Sequence, residues 1–344
     1  MGSALSQAWP PAPRFTEKDV PDQHGKVFIV TGGSSGVGKA LTKILYSFNA
    51  KIYIANRPGA KIESAISEIR DTVSTSTGEL VFLPINLDDL NSVRKAAEEF
   101  TRKEKRLDML WNNAGVMLPP AGSVSEQGYE LQLGVNCLAA LLFTRLLTPV
   151  MKRTAERAEK GSVRVLWVSS SAAELFSPAG GGVKLDNLDY HMPVSETVKY
   201  AISKAGMVLL SHEYAERHRG DGIVSVVRPC LQWVEDVQLM AQSMNPGNLK
   251  SDLGRSMPGL TTAIFRRISW NPVYGANTEL FSAFSPEITL DNSGCWVIPW
   301  GRISPVRQDI ADAGVRRAEN EAALSQQFWD WCEEELKGYG IRQT

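Results

Sequence analysis

The chain of 344 residues has few cysteines, no surplus of charge of either sign and no long apolar run. Its four cysteines, Cys137, Cys230, Cys295 and Cys332, stand far apart and form no C-x-x-C pair and no cluster with histidine. A structural disulfide or a zinc site is therefore not expected. This use of cysteine fits a reducing compartment, so we expect a cytoplasmic protein without a metal site.

The charges are balanced, with 37 basic and 38 acidic residues. A net charge of -1 gives no basic surplus for binding nucleic acid or an acidic membrane surface. Because no apolar run reaches about 18 residues, no membrane span is expected. These absences leave an ordinary globular protein, which we expect to be a monomer or a homodimer.

The N-terminus, MGSALSQAWPPAPRF, lacks the apolar core of a secretory signal. It does match the M-G-x-x-x-S pattern of myristoylation at Gly2. That pattern is short and is often met by chance. The alternative is a flexible lead-in over residues 1–23, rich in proline.

Strand-like and helix-like segments alternate along the rest of the chain. The expected strands are KVFIVTGG, AKIYIANR, ELVFLPINL, LDMLWNNAG, SVRVLWVSSS and GIVSVV, with a seventh near residue 300. Helices are expected between them, among others over residues 60–73, 89–105 and 195–218. This order predicts an α/β fold of Rossmann type, a doubly wound parallel sheet of about seven strands with helices on both faces. We expect one domain over residues 24–344 that ends in an amphipathic helix over 318–337.

The stretch TGGSSGVGK, from Thr31 to Lys39, follows the first strand and opens the first helix. Glycines there let the backbone approach a pyrophosphate, and the helix N-terminus supplies N–H groups and partial positive charge. The structural alternative is a tight strand-to-helix turn, but the context on both sides favours a dinucleotide site. The candidate cofactor contacts in this loop are Gly32, Ser34, Ser35, Gly36, Val37, Gly38 and Lys39.

Tyr200 and Lys204 lie four residues apart in TVKYAISKAG, within an expected helix. Residues at this spacing are neighbours on a helix face, so the pair has two readings. It is either an ordinary surface pair or an acid/base device, in which the lysine charge lowers the pKa of the phenol.

Five motifs in sequence order resemble the short-chain dehydrogenase/reductase family over roughly residues 24–305. They are the G-x-x-x-G-x-G loop, NNAG from Asn112 to Gly115 followed by Asn136, the strand end VSSSA, YAISK, and NPGNLKSDL. The chain looks closest to the retinol-dehydrogenase-like branch and to fungal reductases of that kind.

The resemblance implies an oxidoreductase that moves hydride between a nicotinamide and a carbonyl or secondary alcohol. It implies that Tyr200 gives or takes the proton and that Lys204 lowers its pKa and holds the ribose. It further implies that Ser170 orients the substrate oxygen, with Ser169 and Ser171 as alternatives, and that Asn136 extends a proton relay through water. The further cofactor contacts implied are Asn113, Ala114, Gly115, Pro246, Gly247 and Ser251.

The end of the second strand bears on the choice of cofactor. An acidic residue there would favour NAD, but Asn56 is neutral and Arg57 can pair with a 2′-phosphate. Lys39 adds positive charge close by. We therefore expect NADP(H) over NAD(H), although Arg57 could be a solvated loop residue. Asn86 stands where the family usually has aspartate beside the adenine.

Two departures from the family pattern stand out. The segment between Ser170 and Tyr200 is long, with Gly180–Gly182 expected to be flexible beside the substrate pocket. Its apolar residues Phe176, Leu188 and Tyr190 suggest an apolar substrate, or they anchor the loop. The second departure is an insert over 227–242, either a lid or a retained intron. Its flanks rejoin into an uninterrupted motif, which favours the intron, and a last alternative takes Pro229-Cys230 as the motif.

Two other functions compete with the enzyme. One is a non-catalytic dinucleotide sensor or scaffold on the same fold, which the intact Ser170, Tyr200 and Lys204 disfavour. The other is a methyltransferase or another nucleotide-binding α/β protein, which has no use for YAISK.

Overall fold

The structure is a computed structural model that describes residues 7, 9–218, 223–224, 239–244, 270–289, 292–315 and 322–340. Of residues 223–224 and 239–244 it describes the backbone alone.

A parallel sheet forms the centre of the fold, because its strands are short buried runs rich in valine, isoleucine and leucine. The strand order is β3-β2-β1-β4-β5-β7-β8-β9, with β6 paired to β7. Every pair is parallel except β8 with β9. The strands are β1 Val27–Thr31, β2 Lys51–Asn56, β3 Glu79–Pro84, β4 Met109–Asn112, β5 Val163–Val168, β6 Ile223–Val224, β7 Leu239–Met244, β8 Trp296–Ile298 and β9 Arg302–Ser304.

Helices cover both faces of the sheet, so the doubly wound Rossmann-type fold is confirmed. Helices α1, α2 and α7 pack on one face, and α3, α4, α6 and α9 pack on the other. The helices are α1 Gly36–Ser47, α2 Ala60–Thr72, α3 Leu90–Lys103, α4 Leu131–Ala155, α5 Ala172–Leu175, α6 Glu196–Arg217, α7 Pro272–Phe284, α8 Gln308–Asp312 and α9 Leu324–Glu335. Within α4, Gly134–Ala139 form a π-helical turn.

Helix α4 is long and apolar enough to cross a membrane by composition, with a mean hydropathy of 1.6. However, 89% of its most apolar window is buried inside the protein. The helix therefore packs as a core element of the sheet, as its place between β4 and β5 requires.

Part of the expected lead-in packs on the domain. Phe15 and Val20 are buried, and the Phe15 ring meets that of Phe281 edge to face at 6.2 Å. Between them, Thr16 caps the short 3₁₀ turn Glu17–Asp19 through a capping box. These residues tie the start of the chain to α7.

The place beside β5 is taken by a different segment from the one the sequence suggested. Instead of GIVSVV, Leu239–Met244 pair along the whole of β5. Of GIVSVV the structure describes Ile223–Val224, which pair with the start of β7. Residues 239–242 of the supposed insert thus lie in the central sheet, while 227–238 fall outside the described residues. The residues directly before the NPGNLKSDL motif therefore take the place beside β5.

The last strand and the last helix also differ from expectation. The seventh strand is a hairpin of β8 and β9. Helix α9 begins at Leu324 rather than near 318. Its start is set by a tertiary contact, because the backbone N–H of Ser325 donates to the carbonyl of Ala313 at 3.0 Å.

Candidate active site

The predicted site residues meet at one edge of the sheet, where β1, β4 and β5 end. Strand order reverses between β1 and β4, and in open α/β sheets ligands bind in the crevice outside the carboxyl ends of strands at such a point. The glycine loop, NNAG and the serine run each follow one of these strands. Local sequence therefore places three motifs that are distant along the chain around one crevice.

The glycine loop has the backbone conformation and the close packing that let a ligand lie against its backbone. Gly32 and Gly36 have φ of 69° and 52°, in the left-handed region that favours glycine. A Cβ atom on Gly38 would stand 2.5 Å from both Asn113 Nδ2 and the carbonyl oxygen of Gly32. Ser35, at the N-cap of α1, makes no side-chain cap to the first turn. The first backbone N–H groups of α1 are therefore available to bind an anion.

Asn113 and Thr31 brace this loop from the neighbouring strand. Asn113 Nδ2 donates to the Thr31 carbonyl at 2.7 Å. The Thr31 hydroxyl accepts from the backbone N–H groups of Asn113 and Ala114, both at 2.9 Å, and donates to the Trp111 carbonyl at 3.0 Å. NNAG therefore supports the loop from the other side, as expected.

The end of β2 presents one exposed cation and one buried acceptor. Arg57 is exposed, and the buried Oδ1 of Asn56 has no hydrogen-bond partner. Lys39 instead forms an ion pair with Glu68 on α2 at 2.6 Å, so its charge is already partnered. Asn86 is half-buried beside them, and its backbone N–H donates to Ser92 at 2.9 Å. Of the two basic residues expected to meet a 2′-phosphate, Arg57 is the more available.

Ser170, Tyr200 and Lys204 come together as predicted. Ser170 follows β5, and its hydroxyl hydrogen-bonds to the Tyr200 phenol. Tyr200 and Lys204 lie on the buried face of α6, which starts at a side-chain cap from Ser195. The Lys204 ammonium lies 5.8 Å from the centroid of the Tyr200 ring. The surface-pair reading is wrong, because both side chains are buried.

The electrostatics of this pair differ from the simple picture. Burial raises the pKa of Tyr200 to about 12, and the hydrogen bond from Ser170 opposes this effect only in part. Burial likewise lowers the pKa of Lys204 to about 8, with a smaller opposing effect of Cys137. Within the protein alone Lys204 does not depress the pKa of Tyr200, because desolvation weakens its own charged form.

Asn136 lies in the π-helical turn of α4, and its side chain is fully engaged. Its Oδ1 accepts from the backbone N–H of Val116 at 2.9 Å. Its Nδ2 donates to the Val116 carbonyl at 3.0 Å and to the Ser203 hydroxyl at 2.9 Å. Asn136 thus joins the loop after NNAG to helix α6. Gly115 fits between, since a Cβ there would stand 2.9 Å from Asn136 Oδ1 and 3.4 Å from Lys204 Nζ.

Sequence reasoning missed two supports at the end of β5. The carbonyl of Val168 accepts from Lys204 Nζ at 2.9 Å. The hydroxyl of Ser169 donates to the backbone carbonyl of Lys204 at 2.7 Å. Three consecutive residues, Val168 to Ser170, therefore each contact the helix that carries Tyr200 and Lys204. The alternation of side chains along a strand could have indicated the role of Ser169, since Ser169 and Ser170 must point to opposite faces.

The segment between Ser170 and Tyr200 is anchored rather than free at its glycines. Asp309 Oδ2 accepts from the N–H groups of Gly180 and Gly181 at 2.9 and 3.0 Å. Gly182 has φ of 81°, and a Cβ there would stand 2.6 Å from that of Ala205. The glycines thus permit a close approach to α6 and to Asp309, and their flexibility stays a prediction.

The wall beside the phenol is apolar. Met117, in the loop after NNAG, packs against a small cluster of Ala172, Tyr200 and Ala201. Phe176 is exposed, whereas Leu188 is buried in the core and Tyr190 packs against it. Leu188 and Tyr190 thus anchor the segment, whereas Phe176 remains exposed on its surface.

Three expected cofactor contacts, Pro246, Gly247 and Ser251, lie outside the described residues. Cys137, Cys295 and Cys332 are free thiols. Among the described residues no group of three or more histidine, cysteine, aspartate or glutamate side chains is placed to hold a metal ion.

A dinucleotide crevice beside a half-buried serine, a buried tyrosine and a buried lysine is the arrangement of a Rossmann-type oxidoreductase. Residues 26–182 match the model of the family described as short chain dehydrogenase. A short-chain dehydrogenase/reductase from Phomopsis amygdali is 44% identical over 342 residues, covering 98% of this chain and 97% of its own. The protein bet4 of Neocamarosporium betae, of the same description, is 42% identical, covering 98% and 94%. The chain belongs to the short-chain dehydrogenase/reductase family.

Solved structures share the fold. An uncharacterised protein from Mycobacterium paratuberculosis has a TM-score of 0.64 at 25% identity, covering 93% of this chain and 96% of its own. RhlG of Pseudomonas aeruginosa, solved with NADP, has a TM-score of 0.58 at 20% identity, covering 83% and 97%. A 3-ketoacyl-(acyl-carrier-protein) reductase from Brucella melitensis, solved with NADH, has a TM-score of 0.56 at 21% identity, covering 79% and 96%.

Proposed function

We propose that this protein is an NADP(H)-dependent oxidoreductase that interconverts a carbonyl and a secondary alcohol on a small apolar molecule. The observation that carries the proposal is the convergence of Ser170, Tyr200 and Lys204 beside the glycine loop. Relatives with the same family description include pkfC of Emericella nidulans, at 41% identity over 95% of this chain. That fungal setting supports a role in secondary metabolism.

The chain's own residues supply orientation and one proton. Ser170 holds the substrate oxygen, and Tyr200 gives or takes the proton at that oxygen. The nicotinamide, when bound, supplies or accepts the hydride. Lys204 holds the ribose of the cofactor, and pairing with its hydroxyls favours the charged form of the amine. Asn136 fixes the loop beside this group through its bonds to Val116 and Ser203.

The crevice fits a dinucleotide on the features of this chain. Gly32 and Gly36 hold the loop in left-handed backbone conformations, α1 has no side-chain cap at its N-terminus, and Asn56 keeps an unpartnered acceptor. Arg57 supports NADP(H) over NAD(H), because a guanidinium pairs with a phosphate through two parallel hydrogen bonds. The ion pair of Lys39 with Glu68 leaves Arg57 as the main determinant.

The substrate class follows from the wall of the pocket. Met117, Ala172 and Ala201 pack around Tyr200 and make this side of the pocket apolar. Phe176 and Met192 are exposed on the same long segment after Ser170. Such a surface binds an apolar body and leaves recognition of the reacting oxygen to Ser170 and Tyr200.

The decisive experiment follows NADPH absorbance with a panel of carbonyl substrates, with NADH in parallel. We expect turnover by the wild type and a loss of about 10²–10⁴-fold in Tyr200→Phe, which keeps the ring and removes the proton donor. Cofactor binding, measured by fluorescence, should stay unchanged in that variant. Tight NADPH binding with no turnover across the panel would instead support the sensor or scaffold.

A further inference from the structure

Arg307 precedes helix α8, and all the N–H donors of its guanidinium group are used in hydrogen bonds to neighbouring residues. Its Nη1 donates to the carbonyls of Glu174 and Ser177 at 2.9 and 3.1 Å, and its Nη2 donates to that of Pro178 at 2.8 Å. The same fork pairs with Asp309, with Nε donating to Oδ1 at 2.5 Å and Nη2 to Oδ2 at 2.9 Å. The side chain therefore holds the end of α5 and the turn after it.

Asp309 extends these contacts to the next turn, and we call the contacts of Arg307 and Asp309 with this segment the clasp. Its Oδ2 accepts from the backbone N–H groups of Gly180 and Gly181. The pairing with Arg307 holds the pKa of Asp309 at about 2, so its carboxylate stays charged in any ordinary buffer. Together Arg307 and Asp309 make hydrogen bonds to five consecutive or nearly consecutive residues, which are Glu174, Ser177, Pro178, Gly180 and Gly181.

The clasped segment begins on the serine expected to orient the substrate. The hydroxyl of Ser170 accepts from the backbone N–H of Ala172 at 3.2 Å, and its carbonyl accepts from that of Ala173 at 3.0 Å. Helix α5 has only four residues, which is too short to be stable alone. Ser170 is thus fixed at one end by β5, while the helix it starts is fixed at the other end by Arg307.

The clasp also reaches the helix of the tyrosine and lysine. Gly182 packs directly on Ala205, the neighbour of Lys204, and next to Ile310 of α8. The carboxylate of Glu174 accepts from the backbone N–H of Arg307 at 3.1 Å and from Gln7 Nε2 at 2.7 Å. The segment therefore lies between α8 on one side and the catalytic helix on the other.

We propose that Arg307 and Asp309 are positioning residues that fix the substrate-side wall, and with it Ser170, relative to Tyr200. Neither touches the reacting atoms. They act through α5 and the glycine turn, which they hold against α6. A displacement of the serine by about 1 Å is enough to lower the rate about 10²-fold. The inference rests on the proposed function for its kinetic readout only.

The test compares Arg307→Lys and Asp309→Asn with the wild type. Lysine keeps the charge but cannot reproduce the fork, and asparagine keeps the shape but not the charge. The matched control is Arg217→Lys, since Arg217 also pairs with two carboxylates, those of Glu213 and Asp330, at the far end of α6. The readouts are kcat and KM for a bulky and a small carbonyl substrate, the Kd for NADPH, and amide hydrogen exchange.

We expect kcat/KM for the bulky substrate to fall about 10- to 100-fold in both variants. The Kd for NADPH should change less than about twofold, because the glycine loop and NNAG follow β1 and β4, whereas the segment that Arg307 holds follows β5. Arg217→Lys should leave all these values unchanged. A folded Arg307→Lys variant with unaltered kinetics on both substrates would overturn the proposal. If no substrate is turned over, the proposed function fails, and the positioning role is then tested separately by amide hydrogen exchange at Ala172 and Ala173. Faster exchange in Arg307→Lys supports the positioning role, and unchanged exchange contradicts it.

Discussion

The ammonium of Lys204 donates to the backbone carbonyl of Val168, the last residue of β5, at 2.9 Å. This bond fixes the lysine between the sheet and the Tyr200 ring, and it is made where the amine is fully buried. The cost is visible in the pKa of Lys204, which burial lowers to about 8. The group proposed to hold the cofactor ribose is thus kept in place at the expense of stability.

Replacing the lysine should therefore stabilise the protein and inactivate it. Below pH 8 Lys204 is charged in both the folded and the unfolded chain, so the penalty is fully present there; it disappears as the pH rises from 8 to 10.5. A shift of this size corresponds to at most about 3 kcal/mol. Lys204→Met loses the hydrogen bond to the Val168 carbonyl and a weaker one to the Met207 sulfur, together on the order of 1 kcal/mol. We expect urea denaturation at pH 7 to show a more stable variant, and the gain to shrink at pH 10. A less stable variant at pH 7 would contradict this account.

The contact of Gly182 with Ala205 gives a second prediction. Gly182→Ala places a methyl group 2.6 Å from that of Ala205, beside Lys204, and at φ of 81°. Gly180→Ala is the matched control, because Gly180 has φ of 89° but nothing within 4 Å of an added Cβ. Both variants carry the left-handed strain of about 1–2 kcal/mol, and only the first displaces the helix. We expect a loss of activity at least tenfold greater in Gly182→Ala, measured as kcat/KM with thermal unfolding alongside. Equal losses in the two variants would mean that the contact has no effect on the site.

Local pattern was enough to predict the fold and the meeting of the motifs. Apolar runs of strand length alternate with helical spacing, and parallel connection forces all strand ends to one edge. Ser170 was predicted because its motif follows β5 directly, whereas Tyr200 and Lys204 were predicted from their i, i+4 spacing and the resemblance of YAISK. Asn113 was placed against the glycine loop for the same reason.

What the sequence did not reveal depends on contacts between distant segments. Arg307 reaches a turn about 130 positions away, and no periodicity marks such a bond. Three glycines in a row suggested a flexible loop, whereas Asp309 and Ala205 need them for close approach. The pKa of Tyr200 also depends on burial, which the i, i+4 spacing with Lys204 does not report.

Cofactor choice should depend on Arg57. Arg57→Ala should raise the KM for NADPH about ten- to a hundredfold and that for NADH little, since a charge-assisted hydrogen bond is worth about 1.5–3 kcal/mol. Lys39→Ala is the matched control, because Lys39 is already paired with Glu68 and should have a smaller effect. Steady-state kinetics with both cofactors measure this. Equal changes for NADPH and NADH would show that Arg57 lies outside the phosphate site.

Glu279 on α7 should make stability depend on pH. It is fully buried, and both carboxylate oxygens lack a hydrogen-bond partner in the described part of the chain. Burial raises its pKa to about 8. The folded protein then binds the proton more tightly than the unfolded chain, so stability falls as the pH rises from about 4.5 to 8. The difference is at most about 5 kcal/mol. Glu279→Gln should flatten this slope in urea denaturation series, and a slope equal to that of the wild type would refute the assignment.

The last prediction concerns residues 227–242. Leu239 pairs with Val163 of β5 on one side and with Ile223 on the other, so Ile223 and Leu239 lie at the same level of the sheet. They are 16 residues apart, which is the length of the segment from 227 to 242. Deleting that segment would bring Ile223 into the register of Leu239 and Val224 into that of Met240, with Ser243 following as before. The sheet therefore accepts the deletion without a shift of strand register.

The replacement strand also suits its position better. Ile223, Val224 and Val226 would stand where Leu239, Met240 and Gln242 stand now, and β-branched residues are favoured in parallel strands that are buried on both faces. We expect a chain without 227–242 to unfold at a higher temperature and to retain or improve kcat/KM, as a retained intron requires. If the segment is a working lid, its deletion should raise the substrate KM and leave the Kd for NADPH unchanged. A transcript that keeps the segment, together with a deletion variant that is folded but inactive, would overturn the intron interpretation.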